Sequence, residues 1–242
     1  MEWTVVVGFV VRVLSVWVPA AEQGSFTSRQ GSPEEGDCRF TFAGLCALAL
    51  LRGLDAPGGL TESAGACGEV RNPSKVTDWL LKCQNLDGGF GCRPEGECES
   101  HAGLTFCCLA ALSLLGQLSQ LPHRGRRRLT RWLGSRQCAS GGINGRPGKL
   151  ADACYTWWTL ASATLLLDRP RLPDSPDSSD SSLADLFDLP ALDAFLQQCA
   201  NPAGGVAAHP GEDPDPFHTF FGLAGWSLTA QASPELAKAQ PW

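Results

Sequence analysis

Two kinds of apolar block alternate along most of this chain, and both have helical spacing. The first kind carries charge on one face and ends in a related hexapeptide: "WLLKCQ" (79–84), "WLGSRQ" (132–137) and "FLQQCA" (195–200). The second kind is apolar nearly all round: "HAGLTFCCLAALSLLG" (101–116), "ACYTWWTLASATLLL" (153–167) and "FHTFFGLAGWSLTA" (217–230). A helix apolar on every side is buried, whereas a one-sided helix lies against solvent. Between the two kinds stands a fixed heptapeptide: "GGFGCRP" (88–94), "GGINGRP" (141–147) and "GGVAAHP" (204–210). The Gly pair supplies the backbone freedom of a turn, and the Pro stops the helix from continuing.

The Gly pairs are 53 and 63 residues apart, and a period near fifty met three times marks a repeat architecture. Each apolar helix opens at an Asp or His four places before a Thr: His101/Thr105, Asp152/Thr156 and Asp215/Thr219. Asp37/Thr41 exposes a fourth, partial unit with the helix "RFTFAGLCALALL" (39–51). The predicted fold is all-α, an α/α barrel (toroid) or curved solenoid of helical hairpins with buried inner helices. No strand pattern of useful length occurs outside residues 4–18. The predicted limits are a leader over 1–36, the repeat domain over 37–229 and a tail over 230–242.

Composition changes this picture in few places. Hydrophobic residues make up 43% of the 242, enough for a sizeable core, and the formal net charge of −6 argues against a general nucleic-acid binder. Residues 168–188 hold six Asp and two Arg among Ser and Pro, which predicts a disordered acidic loop. "HRGRRRLTR" (123–131) is a basic run without interleaved aromatics and reads as a solvated helix face. The eleven Cys are odd in number, and several lie inside apolar helices. Reduced thiols in a cytoplasmic protein fit better than a secreted disulfide scaffold. "WTVVVGFVVRVLSVWVPA" (3–20) is apolar, yet Arg12 interrupts it and it is short for a membrane span. A non-native leader is the reading favoured over an anchor.

Repeat equivalence brings His101, Asp152, Cys154 and His218 to one rim. A carboxylate, a thiol and an imidazole are all zinc donors, and three protein ligands leave a fourth position open. The competing reading has Asp152 as a helix cap, Cys154 as a core thiol and His218 as a hydrogen-bonded cavity histidine. Arg146 and Lys149 lie in the loop entering the Asp152 helix, with His101 and Tyr155 beside it. Two cations and two further donors at a helix N-terminus suit a phosphate or diphosphate. Arg93 and His209 hold the place of Arg146 in the neighbouring repeats, so a turn-bracing role competes there; Lys149 has no counterpart. Trp157, Trp158, Phe106, Phe217, Phe220 and Phe221 line an apolar cavity or belong to the core.

"DGGFGCRP…ESHAGLTFCC", "SGGINGRPGKLADACYTWW" and "DPFHTFFGLAGWSL" resemble the β subunit of protein prenyltransferases, above all the type II branch that geranylgeranylates Rab GTPases. The resemblance runs from about Asp37 to about Thr229. It implies an α/α barrel holding a lipid diphosphate beside one Zn2+ per chain, with Asp152, Cys154 and His218 as ligands. It assigns the diphosphate to His101, Arg146, Lys149 and Tyr155, and the isoprenoid to Trp157, Trp158 and their neighbours. The implied activity transfers a geranylgeranyl group from its diphosphate to C-terminal Rab thiols. The implied partners are an α subunit and an escort protein that presents the GTPase. A complete barrel in that family has more helical pairs than the three full units and one partial unit found here. The expected barrel is therefore incomplete, with exposed apolar surface and part of the lipid channel missing. A helical-repeat relic that only binds lipid or protein is the alternative. A terpene-cyclase-like enzyme ranks last, because its neighbouring carboxylates on an inner helix are absent.

Overall fold

The Gly-Gly turns predicted from the repeat are present in all three units. The first glycine of each pair, Gly88, Gly141 and Gly204, has φ of 108°, 86° and 110°, the left-handed region that an L side chain resists. Behind each turn the same antiparallel bridge forms, Gln84 with Phe90, Gln137 with Ile143 and Ala200 with Val206. The structure is a computed structural model describing residues 24–27, 35–52, 70, 72–94, 96, 98–167, 182–233 and 235–236. The apolar stretch 3–20 lies outside them. Seven α-helices occur among the described residues: α1 (Cys38–Arg52), α2 (Pro73–Lys82), α3 (Ala102–Leu114), α4 (His123–Gly134), α5 (Cys154–Leu167), α6 (Leu189–Cys199) and α7 (Pro216–Ala232). Pro73, Pro190 and Pro216 stand in the first turns of α2, α6 and α7, where a missing N–H is tolerated.

The chain divides into two units, Met1–Leu86 with Phe90–Ser100 and Cys107–Gly125, and Asp87–Gly89 with His101–Phe106 and Arg126–Trp242. In the first unit Cys38, Cys83 and Cys108 are fully buried. Burial, then hydrogen bonds with Cys38 and Cys83, holds the Cys108 thiol well above the usual range. These thiols act as the small buried hydrophobes expected from the sequence. Cys92 and Cys98 are the exception, joined as a disulfide. Residues 24–27 fall within the predicted leader, yet Ser25, Phe26 and Thr27 are buried. The Phe26 carbonyl accepts from Asp37 N at 3.4 Å, and the Phe26 N–H donates to Thr41 Oγ1 at 3.0 Å.

In the second unit α5 and α7 pack side by side. A Cβ built on Gly225 would stand 2.8 Å from the Thr156 side chain and the Trp157 nitrogen, and one on Gly222 would stand 2.8 Å from Val206. The two glycines therefore allow backbone-close contact. Asp193 of α6, 5% exposed, is satisfied by Trp226 Nε1 and by Gln197 Nε2, each at 2.6 Å. Asp193→Ala is expected to cost about 1–3 kcal/mol, because it leaves the buried indole N–H without its acceptor. Urea unfolding of the variant checks this.

The predicted disorder of loop 168–188 does not extend over its last seven residues. Leu183–Asp185 form a 3-10 turn in which Ser182 and Asp185 cap each other, and Leu183 and Phe187 are buried. Burial of those two apolar side chains holds the segment in place. The helix before the predicted tail also runs on to Ala232.

Candidate metal centre and anion rim

The repeat logic places a capping residue at the start of each apolar helix, and the second unit uses its caps twice. Asp152 Oδ1 accepts from Cys154 N at 2.9 Å, ahead of the first turn of α5. Asp215 Oδ1 accepts from His218 N at 2.9 Å and caps α7. The competing reading of Asp152 as a helix cap is thus correct, and it is not exclusive. Asp152, Cys154 and His218 each offer one ligand atom, and these atoms all lie within 4.8 Å of one another. His218 Nε2 lies 3.5 Å from Asp152 Oδ1. Among the described residues, no other group of three or more His, Cys, Asp or Glu is gathered this way.

The orientation of His218 comes from a residue the sequence flagged only as a repeat start. Asp215 Oδ2 takes the Nδ1 hydrogen of His218 at 2.5 Å. With Nδ1 committed as donor, Nε2 is left as the lone-pair nitrogen facing Asp152. Carboxylate–histidine pairs of this form fix the tautomer of metal-ligating imidazoles. The backbone and side-chain hydrogen bonds from His218 hold the Asp215 carboxyl below its ordinary range. The spacing Asp215-x-x-His218 was visible in the sequence, and its cap geometry was the missing clue. Asp215→Asn retains a capping oxygen but turns an amide toward Nδ1. It is expected to weaken metal binding by about 10- to 100-fold, the range outer partners of metal ligands carry, with little loss of helix stability. Competition against a chromophoric chelator measures it.

The donor set suits a metal. Cys154 is 4% exposed, and burial, then the hydrogen bond and charge of Asp152, pushes its thiol well above the usual range. A thiol, a carboxylate and an imidazole gathered within 4.8 Å of one another are donors that a divalent cation can bridge.

The candidate anion-binding residues are brought together in part. His101 Nδ1 accepts from Gly103 N at 3.1 Å, so its proton resides on Nε2, 3.2 Å from the Tyr155 hydroxyl. The Tyr155 oxygen therefore acts as acceptor to His101, and its own hydrogen is left for a ligand. Burial first, then the charges of Cys154 and Asp152, raises the Tyr155 pKa, and Arg146 opposes that rise. Tyr155 stays a donor near neutral pH. Lys149 is exposed in the same loop, where its backbone N–H reaches the Arg146 carbonyl at 3.4 Å. A run of aromatic rings adjoins the triad. Phe106 lies 5.2 Å from Trp158 and 6.1 Å from Trp157, Trp158 lies 4.5 Å from Phe221, and Phe221 lies 4.8 Å from Phe217. Phe217 in turn meets the His218 ring at 5.2 Å.

A helical-repeat domain with a candidate three-donor metal centre, a candidate anion rim and a run of aromatic rings is the class that fold and site define. The chain belongs to the prenyltransferase alpha-alpha toroid domain family, whose model matches residues 11–242. That match begins at residue 11, upstream of Asp37, the start of the resemblance drawn from the motifs. The chain is 36% identical over 208 residues to the geranylgeranyl transferase type-2 subunit beta of Saccharomyces cerevisiae, covering 86% of this chain and 54% of the relative. It is 35% identical over 208 residues to the protein farnesyltransferase subunit beta of Schizosaccharomyces pombe, covering 86% and 48%. A solved structure of Candida albicans protein geranylgeranyltransferase-I complexed with GGPP superposes with a TM-score of 0.63 at 25% identity, covering 87% of this chain and 56% of that one. The chain thus spans about half the length of the curated relatives it matches. No helix among the described residues is long and apolar enough to cross a membrane.

Proposed function

We propose that this chain is the zinc-binding catalytic β subunit of a protein geranylgeranyltransferase of type II. It would transfer a geranylgeranyl group from its diphosphate to C-terminal cysteine thiols of Rab-type GTPases. The observation that carries the reading is the convergence of Asp152, Cys154 and His218 within 4.8 Å, beside the His101–Tyr155 pair. Those three residues would hold the zinc, and a bound zinc supplies the Lewis acidity that keeps an acceptor sulfur deprotonated at neutral pH.

The chain's own residues supply the rest. Tyr155, Arg146 and Lys149 offer donors and positive charge to a diphosphate, with His101 orienting the Tyr155 hydroxyl, and that charge offsets what develops on the diphosphate as the carbon–oxygen bond breaks. The acceptor sulfur forms the new bond to C1 of the prenyl group, its proton passes to solvent, and diphosphate leaves. Cys154 forms no bond to the substrate, since its sulfur is a ligand. Trp157, Trp158 and Phe106 hold the isoprenoid and keep water from the reacting carbon.

Relatives of type II and farnesyl specificity match at 36% and 35%, so the lipid and protein preferences rest on the wording of the motifs "GGFGCRP" and "DPFHTFFGLAGWSL". The relatives' designation as β subunits supports an α subunit as partner, and an escort protein to present the GTPase follows from the type II reading. The test is to coexpress the chain with an α subunit and measure zinc content. A Rab GTPase with its escort is then offered geranylgeranyl and farnesyl diphosphates together. Intact mass should show geranylgeranyl thioethers on the Rab C-terminus. Zinc-free, folded protein without transfer would instead favour a non-catalytic binding module. The exposed side chains Phe220 (65%) and Leu223 (42%) on α7 suit that second reading.

A further inference from the structure

We propose that Arg136 and Asn144 form a buried clamp that sets the Arg146–Lys149 loop for diphosphate binding; this rests on the diphosphate reading above. Arg136 is 5% exposed and Asn144 7%. Arg136 Nη1 donates to Asn144 Oδ1 at 3.1 Å, Nε to the Trp132 carbonyl at 3.2 Å and Nη2 to Ser135 Oγ at 3.1 Å. Its guanidinium also stands 4.8 Å over the Trp132 ring. A guanidinium is a donor only, so it settles which end of the Asn144 amide is oxygen. The amide nitrogen is thereby turned outward, and it donates to the Lys149 carbonyl at 3.0 Å.

The sister repeats provide an internal control. The places of Arg136 and Asn144 are held by Cys83 and Gly91 in the preceding repeat and by Cys199 and Ala207 in the following one. The backbone is the same in all three: Gly91 N reaches Cys83 O at 3.0 Å, Asn144 N reaches Arg136 O at 2.9 Å and Ala207 N reaches Cys199 O at 2.9 Å. The turn itself therefore needs neither the buried charge nor the amide. Burying a guanidinium is costly even when it is hydrogen-bonded. What distinguishes the middle repeat is the loop that follows, which alone carries a lysine at the position of Lys149. Residues 147–150 are exposed, so the loop is anchored from inside through the Lys149 carbonyl. Among the described residues only this repeat adds a bridge, Asn144 with Ala151, that closes the loop's far end. A loop held in its binding shape gives up less freedom when an anion binds.

The test uses the full chain loaded with zinc and inorganic pyrophosphate as probe, read by titration calorimetry. The double variant Arg136→Cys/Asn144→Ala installs the pair that the following repeat already tolerates. Asn144→Ala alone, which leaves Arg136 its bonds to Trp132 and Ser135, is the second variant should the double one not fold. Pyrophosphate affinity is expected to fall about 10- to 100-fold, the effect of losing an outer partner of a binding site, with zinc content and Tm near those of the parent. Unchanged affinity in a folded variant overturns the clamp and leaves the diphosphate reading standing. Loss of zinc together with pyrophosphate also overturns it, since that marks general loosening. An unaltered chain without pyrophosphate affinity removes the diphosphate reading, and the clamp falls with it.

Discussion

Cys154→Ala is expected to abolish metal retention and prenyl transfer together while the chain stays folded. The sulfur is the softest of the three donors and the one a zinc ion holds most firmly. Asp152 and His218 alone leave two ligands, too few for a stable site. The fall in metal affinity is expected to exceed about 100-fold, the upper range for outer partners of a ligand. The stability cost is small by comparison, because alanine fills much of the same space and removes a thiol that burial already holds neutral. Metal analysis after dialysis, circular dichroism and the transfer assay are read on one preparation. Transfer by a zinc-free Cys154→Ala protein would contradict the assignment of Cys154 as a ligand. On the transferase reading, chelation of the parent protein should reproduce the loss of transfer, and added zinc should restore it.

Gly225→Val is expected to separate the two halves of the same centre from a distance. Gly225 lies two helical turns beyond His218, where α7 touches α5 at Thr156 and Trp157. A Cβ there meets the Thr156 Cβ at 2.8 Å and the Trp157 nitrogen at 2.8 Å, inside the distance that real Cβ atoms keep. The backbone atom cannot swing aside, so the helices must part. Overpacking of this kind costs about 1–3 kcal/mol. Parting them withdraws His218, on α7, from Asp152 and Cys154, at the start of α5. Tm should fall, and zinc affinity should fall with it although no ligand has changed. Gly225→Ala should show both effects more weakly. A variant with lowered Tm and undiminished zinc affinity would show that the triad does not depend on this contact.

Much of the fold was legible because it is written as repetition. Three copies of Gly-Gly-apolar-x-x-Arg/His-Pro place the turns, and the positive φ of Gly88, Gly141 and Gly204 explains why no other residue stands there. The uniform apolar character of "ACYTWWTLASATLLL" correctly marks α5 as a buried helix, since a helix without a polar face has nowhere else to go. The triad was legible for the same reason. Corresponding helix starts in stacked units meet in space: Asp152 and Asp215 correspond, and Cys154 and His218 follow them by two and three residues. Less readable was the dual use of the caps. The sequence set helix cap against metal ligand for Asp152; the capping bond is present, and a carboxylate with two oxygens and several lone pairs has room for a metal besides.

Local pattern was enough for the elements, the turns and the identity of the three donors, because those follow from backbone sterics and from the spacing of apolar side chains. Tertiary packing alone decided which atoms meet between elements. His218 Nε2 of α7 comes within 3.5 Å of Asp152 Oδ1 at the start of α5, and His101 Nε2 within 3.2 Å of the Tyr155 hydroxyl. The tautomers behind those contacts are set locally, by Asp215 three residues before His218 and by the Gly103 N–H two residues after His101. Hydrogen bonds form only between atoms within about 3 Å in space, and the spacing of residues along one helix does not say which atom of another helix will stand there.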